Sequence, residues 1–261
     1  MLIYSVPIPH CMNQNLSRVA NFSPLKKKLE DDVIGNSSFI AKVFHGDGEF
    51  KVFATQNHEA GVAIHESRNH LIFFGDWTQT ELPFELLPNA GFFVSSSPPE
   101  AIERLRPHYE VTGEWPCWHY LAPEGFGPGD WDGLDPILPE EVPSISKYWT
   151  LSEEPAREMA ERVRKYDSAC VRVDGVPVSW CGMHFEIEGV GNLGFAHTLE
   201  EHRRKGYAAL VTKALVNRLA ARGRRGTVHV IKDNANSIAL CQSMGFQVVG
   251  ELTWAEFAPR A

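Results

Sequence analysis

The chain has 261 residues, 43% hydrophobic and 22% charged, with 25 Lys+Arg against 33 Asp+Glu and a formal net charge of -8. Such proportions belong to a globular protein of one or two domains and exclude a disordered, collagen-like or coiled-coil chain. The charge is uneven. Residues 195–232 hold nine of the bases and two of the acids, a local excess of seven, so the remaining 16 bases and 31 acids carry −15. One basic island in an acidic chain points to one anionic partner held at one place, and no nucleic-acid partner is expected.

The segment Met1-Leu2-Ile3-Tyr4-Ser5-Val6-Pro7 lacks the basic start and long apolar run of a signal peptide. No stretch approaches the ~18 apolar residues of a membrane helix, so no membrane partner is expected. Five cysteines without paired spacing fit a reducing compartment, and a cytoplasmic location follows as an expectation. Cys181 and His184 have a CxxH-like spacing but no second pair, so no metal is expected.

In the first half, residues 38–44 and 50–55 are rich in Val, Phe and Ile and read as strands around a turn at His45-Gly46-Asp47-Gly48. Residues 71–74 read as a third strand, and Pro98-Pro99 opens a helix over 100–106. His108, Cys117, His119 and the Trp115/Trp118 pair either line a pocket or serve as ordinary core and surface residues; the second reading is preferred. Composition shifts most sharply over 122–143, where 22 residues hold five prolines, four glycines, six acids and no base. That composition supports neither long ladders nor long helices, so a linker or irregular crossover is expected there. The expected division is therefore 1–121, 122–143 and 144–261.

The second half is more regular. Residues 153–165 carry helical periodicity. Residues 169–173 and 176–185 read as a hairpin about Asp174-Gly175, and 192–198 as a further strand. A long helix is expected over 207–222, stopped by Gly223, then a strand over 227–231, a helix over 234–244 stopped by Gly245, and a last strand from 246. No internal repeat is visible.

Two glycine patterns compete for a phosphate. Gly189-Val190-Gly191-Asn192-Leu193-Gly194 matches GxGxxG, but a strand rather than a helix follows it, so it reads as a connection between strands. Arg203-Arg204-Lys205-Gly206-Tyr207-Ala208 lies between a strand and the long helix. Small residues there let an anion approach the unpaired amides of the first helical turn. Three cations at the positive end of a helix dipole are unfavourable unless an anion neutralises them.

Residues 203–208 resemble the Arg/Gln-x-x-Gly-x-Gly/Ala motif of the GNAT acyltransferases. Asn234…Asn236-Ser237-Ile238-Ala239-Leu240…Met244-Gly245-Phe246 resembles that family's second motif. Lys147-Tyr148-Trp149, Pro177-Val178-Ser179-Trp180 and Thr198-Leu199-Glu200-Glu201-His202-Arg203 are similar to its glycine N-acyltransferase-like branch. The likeness spans about 145–257. It implies an α+β GNAT fold, a mixed and mostly antiparallel sheet flanked by helices, in the C-terminal half. A smaller, degenerate GNAT-like α+β half would precede it.

The resemblance further implies acetyl-CoA or another acyl-CoA as co-substrate and a small-molecule amine or amino acid as acceptor. His197, Thr198 and Leu199 would meet the pantetheine arm. Arg203, Arg204, Lys205, Gly206, Tyr207, Ala208 and Ala209 would hold the pyrophosphate, and Asn234 and Asn236 would approach the arm or the sulfur. Two catalytic positions depart from the pattern. Cys241 stands where many members carry a proton-donating Tyr. Asn192, which cannot take a proton, stands where the branch carries a Glu. Glu186, Glu188, His184 and His197 are the substitute bases at hand, and Glu188 joins Cys241 and Asn192 as a candidate catalytic residue. An acyl-CoA-binding module without turnover is the alternative. The acidic remainder favours cationic acceptors, whereas the branch likeness favours amino acids with a free carboxylate, and both stay open.

Overall fold

A computed structural model of the protein describes residues 15–46, 48–150 and 154–260. Residues 1–7, Asp47 of the expected turn and Glu153 of the expected helix lie outside them. The strands are β1 (Ser17–Arg18), β2 (Lys51–Ala54), β3 (Ala60–His65), β4 (His70–Gly75), β5 (Phe92–Ser97), β6 (Tyr109–Leu121), β7 (Ala169–Val173), β8 (Val176–Ile187), β9 (Val190–Thr198), β10 (Arg225–Ile231) and β11 (Gln247–Pro259). The helices are α1 (Phe22–Glu30), α2 (Ser37–Phe44), α3 (Pro99–Leu105), α4 (Val142–Ile145), α5 (Pro155–Lys165), α6 (Tyr207–Ala221) and α7 (Ala235–Ser243). Over the described residues they form two compact units, one of 15–28, 48–114 and 253–260, the other of 29–46, 115–150 and 154–252. Residues 122–143 fall within the second unit.

In the first unit, β1, β2, β3 and β4 pair antiparallel in chain order. β4 then runs parallel to β5, in register only at His70↔Phe93 and Leu71↔Val94. The C-terminal part of β11 closes the other edge of β5, antiparallel, from Thr253↔Ser97 to Phe257↔Phe92. Its core joins Val62, Leu71, Phe73 and Trp77 to Ala101, Ile102 and Leu105 of α3 and to Phe257. Burying side chains of this size contributes roughly 1.5–3 kcal/mol each.

In the second unit, Asp174 and Gly175 both have positive φ and turn β7 into β8. β8 pairs antiparallel with β9, β9 parallel with β10, and β10 antiparallel with the end of β6. Val211, Leu215 and Leu219 of α6 pack on Met183, Leu193, Val230 and Tyr120 on one face. Met159 of α5 packs with Trp180, Phe195 and Cys170, and α2 also lies against β8. Gly189 sits in the β8–β9 turn, and the GxGxxG run continues straight into β9 without a helix.

Residues 38–44 are a correction: they form α2, not a strand. Their composition is strand-like and nearly every side chain is apolar. However, Ser37, Ser38, Phe39, Ile40 and Ala41 are buried consecutively, which a helix packed within the fold allows. The segment 122–143 is anchored rather than loose. Asn217 of α6 accepts from Phe126 N–H at 2.7 Å, Lys213 lies 4.4 Å over Trp131, and Arg218 donates to the Leu134 carbonyl.

Candidate active site

The parallel pair β9–β10 is the feature from which the site is built. Its register runs from Arg225↔Val190 to Val228↔Leu193 and stops, although β9 continues to Thr198 and β10 to Ile231. The cause is local. Phe195 has φ +37° and the register of β9 against β8 shifts between Trp180 and Gly182, so a bulge turns β9 away from β10. On its other edge β9 stays paired through Trp180↔His197 and Ser179↔Thr198, supported by a 2.8 Å bond between the Ser179 and Thr198 hydroxyls. The backbone of 194–198 therefore faces β10 without a ladder across the gap.

Beyond β9 the chain enters a turn in which Arg204 has φ +61° and Gly206 φ +81°. A side chain on Gly206 would meet no atom within 4 Å, so glycine is required there by the backbone conformation, not by crowding. Gly206 caps α6, whose first turn has no side-chain cap and no acid. Its first amides therefore have no partner within the helix. Arg203, Arg204, Lys205 and Gly206 are exposed, and Tyr207, Ala208 and Ala209 half-buried. The alternation of left- and right-handed residues before a helix gives a concave set of N–H groups, suited to an anion.

The remaining bases of the island are engaged in structure. Arg218 donates to the Ser168 carbonyl at 2.7 Å. Arg222 pairs with Asp167 at 2.6 Å and with Glu186 at 3.1 Å, Arg224 with Glu186, and Arg225 donates to the Ala122 carbonyl. Glu186 is thus held in ion pairs. Three of the nine bases, Arg203, Arg204 and Lys205, stand at the turn.

At the far end of the gap, Asn234 N–H donates to the Ile231 carbonyl and its side chain caps α7 by accepting from Ser237 N–H at 3.1 Å. Asn236 is exposed on the first turn. His197 stacks on Tyr148 with ring centroids 4.4 Å apart. Burial, and then the Arg203 charge, lower its pKa.

Side chains alternate across the strands, so Asn192, Thr227, His229 and His119 share the face turned away from α6. Asn192 is 1% exposed; its Nδ2 donates to Thr227 Oγ1 at 3.0 Å, and its Oδ1 has no hydrogen-bond partner. The His119 and His229 rings meet edge-on at 4.8 Å. His184, at a second bulge in β8, lies between Trp149 (5.6 Å) and Phe195 (5.9 Å). Its ring occupies the space over Gly194, where a Cβ would stand 2.1 Å away. Lys42 of α2 and Arg162 of α5 complete the cluster.

Positive charge is disfavoured throughout this cluster. Burial, then Arg162 and Lys42, push His184 down to about 3. Burial lowers His119 to about 4, opposed by Asp32. Burial, then His119, His184 and Lys42, holds His229 well below its ordinary value. Burial and Arg162 bring Lys42 to about 8, with Glu158 acting the other way. His184, His229 and Lys42 nevertheless keep some solvent-accessible surface. Among the described residues, no three His, Cys, Asp or Glu side chains are placed to hold a metal ion.

The structure thus brings His197, Thr198, Leu199, the 203–209 turn, Asn234 and Asn236 around one gap. Asn192 lies beside it on the histidine face. Cys241 is buried in the apolar cluster under α6, where burial raises its thiol to about 11. Glu188 is exposed in the β8–β9 turn, at the opposite end of β9 from the gap. Sequence reasoning missed Lys42, Arg162, His119 and His229 as a group. The detectable signal was the alternation in β6, where Glu110, Thr112 and Glu114 are exposed between half-buried neighbours.

The model of a family described as FR47-like protein matches residues 175–255, all but the last three of them in the second unit. The chain is similar in structure to a Drosophila protein (TM-score 0.68, 15% identity, 95% of this chain and 100% of that one). It is also similar to a GCN5-related N-acetyltransferase from Sphaerobacter thermophilus (0.57, 15%, 98% and 98%) and to an acetyltransferase from the GNAT family from Colwellia psychrerythraea (0.55, 12%, 93% and 99%). At these identities the likeness is one of fold, and the fold is that of the GNAT acetyltransferases.

Proposed function

We propose that this protein is an N-acyltransferase that moves an acetyl or other acyl group from acyl-CoA to a primary amine, a small molecule or an amino acid. The observation that carries this reading is the β9–β10 gap leading into the left-handed turn at Arg204 and Gly206 and the uncapped start of α6. The donor set fits acyl-CoA as co-substrate. Amides of 204–209 and the Arg203, Arg204 and Lys205 side chains would take the pyrophosphate. The edge of β9 left without a ladder at His197 and Thr198 would pair with the amides of the pantetheine arm once Arg203 gives up its 3.3 Å bond to the Thr198 carbonyl. Leu199, whose N–H is held by the Val178 carbonyl, would line the arm, and Asn234 and Asn236 would flank it near the sulfur.

This placement sets the thioester where β9 and β10 separate. The amine attacks the carbonyl carbon directly, the oxyanion is held by backbone N–H groups freed by the gap, and the thiolate leaves. Cys241, kept protonated by burial, is the proton donor at the motif position. The Asn192 amide, fixed by Thr227, orients the amine. Binding without turnover is the second reading, favoured by an Asn that cannot take a proton and a thiol set in an apolar cluster.

The test is thiol release from acetyl-CoA by purified protein, with and without a broad amine panel. Amine-dependent release is expected. Micromolar binding of acetyl-CoA without release by any amine replaces the enzyme reading with the binding module.

A further inference from the structure

We propose, resting on the acyl-transfer reading above, that His184 and His229 form the proton-accepting pair for the attacking amine. Their placement follows from the two bulges and one glycine. Val228 is the last residue of β10 in register with β9, and His229 is the next, so it stands at the mouth of the gap. Gly194 is the residue of β9 that follows Leu193, and the His184 ring lies over it. With no side chain on Gly194, the His184 ring lies directly against the β9 backbone, beside the point where His229 leaves the ladder. A larger residue there would displace the His184 ring.

A second observation points to an amine at this place. The Asn192 Oδ1, on a side chain 1% exposed, has no partner while its Nδ2 is committed to Thr227. A buried carbonyl oxygen left unsatisfied costs about 1–3 kcal/mol, which an amine N–H would recover. His119 packs edge-on against His229 and sets its ring plane. Charged and titratable groups facing the pair are Lys42 from α2, Arg162 and Glu158 from α5, His119 from β6 and Asp32 ahead of α2. Burial and the cations keep both imidazoles neutral and disfavour the charge that a proton brings, so the proton is held only in passing and is handed on as the thiolate leaves.

The step balances within the reaction. The amine nitrogen bonds to the carbonyl carbon as the C=O pair moves to oxygen. One N–H proton passes to an imidazole nitrogen. The pair on oxygen returns, the C–S bond breaks, the departing thiolate takes the Cys241 proton, and the imidazolium proton restores the Cys241 thiol, giving amide and free thiol.

The test uses the full chain, acetyl-CoA and the amine giving the fastest release. His184→Gln and His229→Gln are each expected to lower kcat about 100-fold, within the usual range for a lost acid–base group. Acetyl-CoA affinity should stay within about threefold, and added imidazole should restore rate in proportion to its concentration, which a merely structural histidine would not show. Variant rates within about threefold of the parent, or losses that follow acetyl-CoA affinity and ignore imidazole, overturn the proposal. On the unmodified chain, acylation of the two imidazoles by diethyl pyrocarbonate, located by mass spectrometry, should stop transfer and be blocked by coenzyme A with amine; full activity after their modification overturns it. No release by the parent protein sinks the acyl-transfer reading and the pair together, whereas parent activity with unaffected variants sinks the pair alone.

Discussion

The two units share one order of elements and differ where a coenzyme would bind. Each has three antiparallel strands (β2–β3–β4, β7–β8–β9), a crossover, a strand parallel to the third over a few residues (β5, β10), a helix (α3, α7) and a long strand. In the second unit the crossover is the Gly206 turn and the 15-residue α6. In the first it is residues 76–91, whose only helical piece is the short turn Phe84–Leu86. Where β4 and β5 lose register, the Ser97 hydroxyl accepts from Phe73 N–H at 2.9 Å and closes the separation. A shared topology therefore supplies a scaffold, and the open edge with an uncapped helix is what the proposed site adds to it.

This contrast breaks most directly by substituting the corresponding places. Gly206→Val must hold φ near +81° with a β-branched side chain and obstructs the anion's approach, so acetyl-CoA affinity should fall more than about 100-fold by calorimetry. Ser97→Ala in the first unit should leave that affinity within about twofold while lowering stability by about 1–3 kcal/mol, since Phe73 N–H loses its acceptor. Retained affinity in the first variant would remove the coenzyme from this turn.

Acid should separate the units next. His119, His184 and His229 belong to the second, and their pKa values are lowered by burial. Between the unfolded value near 6.5 and the folded values, down to about 4 for His119 and about 3 for His184, the unfolded chain binds more protons. Stability therefore falls as pH drops below about 6.5, and His119 alone accounts for ~3 kcal/mol by pH 4. Hydrogen exchange at pH 7 and pH 5 should show β6, β9 and β10 amides losing protection first; unchanged protection there would mean that these rings are not held neutral. The smallest effect is expected at Cys241→Ala, about a tenfold loss of kcat with little change in acetyl-CoA affinity. An unchanged kcat assigns the thiol to the core alone.

Much of the second unit was legible because its signals are local. Asp174-Gly175 makes the β7–β8 hairpin, Asn234 caps α7, Gly223 and Gly245 follow helix ends, and Arg203–Ala208 stands between a strand and a helix. The first unit was less legible. Residues 38–44 look like a strand yet lie in a helix. Pro116 interrupts the pattern of β6, although its carbonyl is used, accepting from Lys232 N–H at 2.8 Å. The repeated topology leaves no repeat in the sequence because packing constrains volume and period rather than residue identity.

The amino-acid sequence by itself determined the uneven charge, the turn chemistry and the glycine that needs a left-handed backbone, all properties of a few adjacent residues. Only the tertiary structure decided which bases are taken up by partners distant in the chain. Arg218, Arg222, Arg224 and Arg225 are bound to carbonyls and carboxylates far along the chain. It also decided the histidine face: His119, His184 and His229 come from three strands, and the pairing register of β6, β10, β9 and β8 brings them together. Register is a long-range property, because shifting it by one residue would turn each of these side chains to the opposite face.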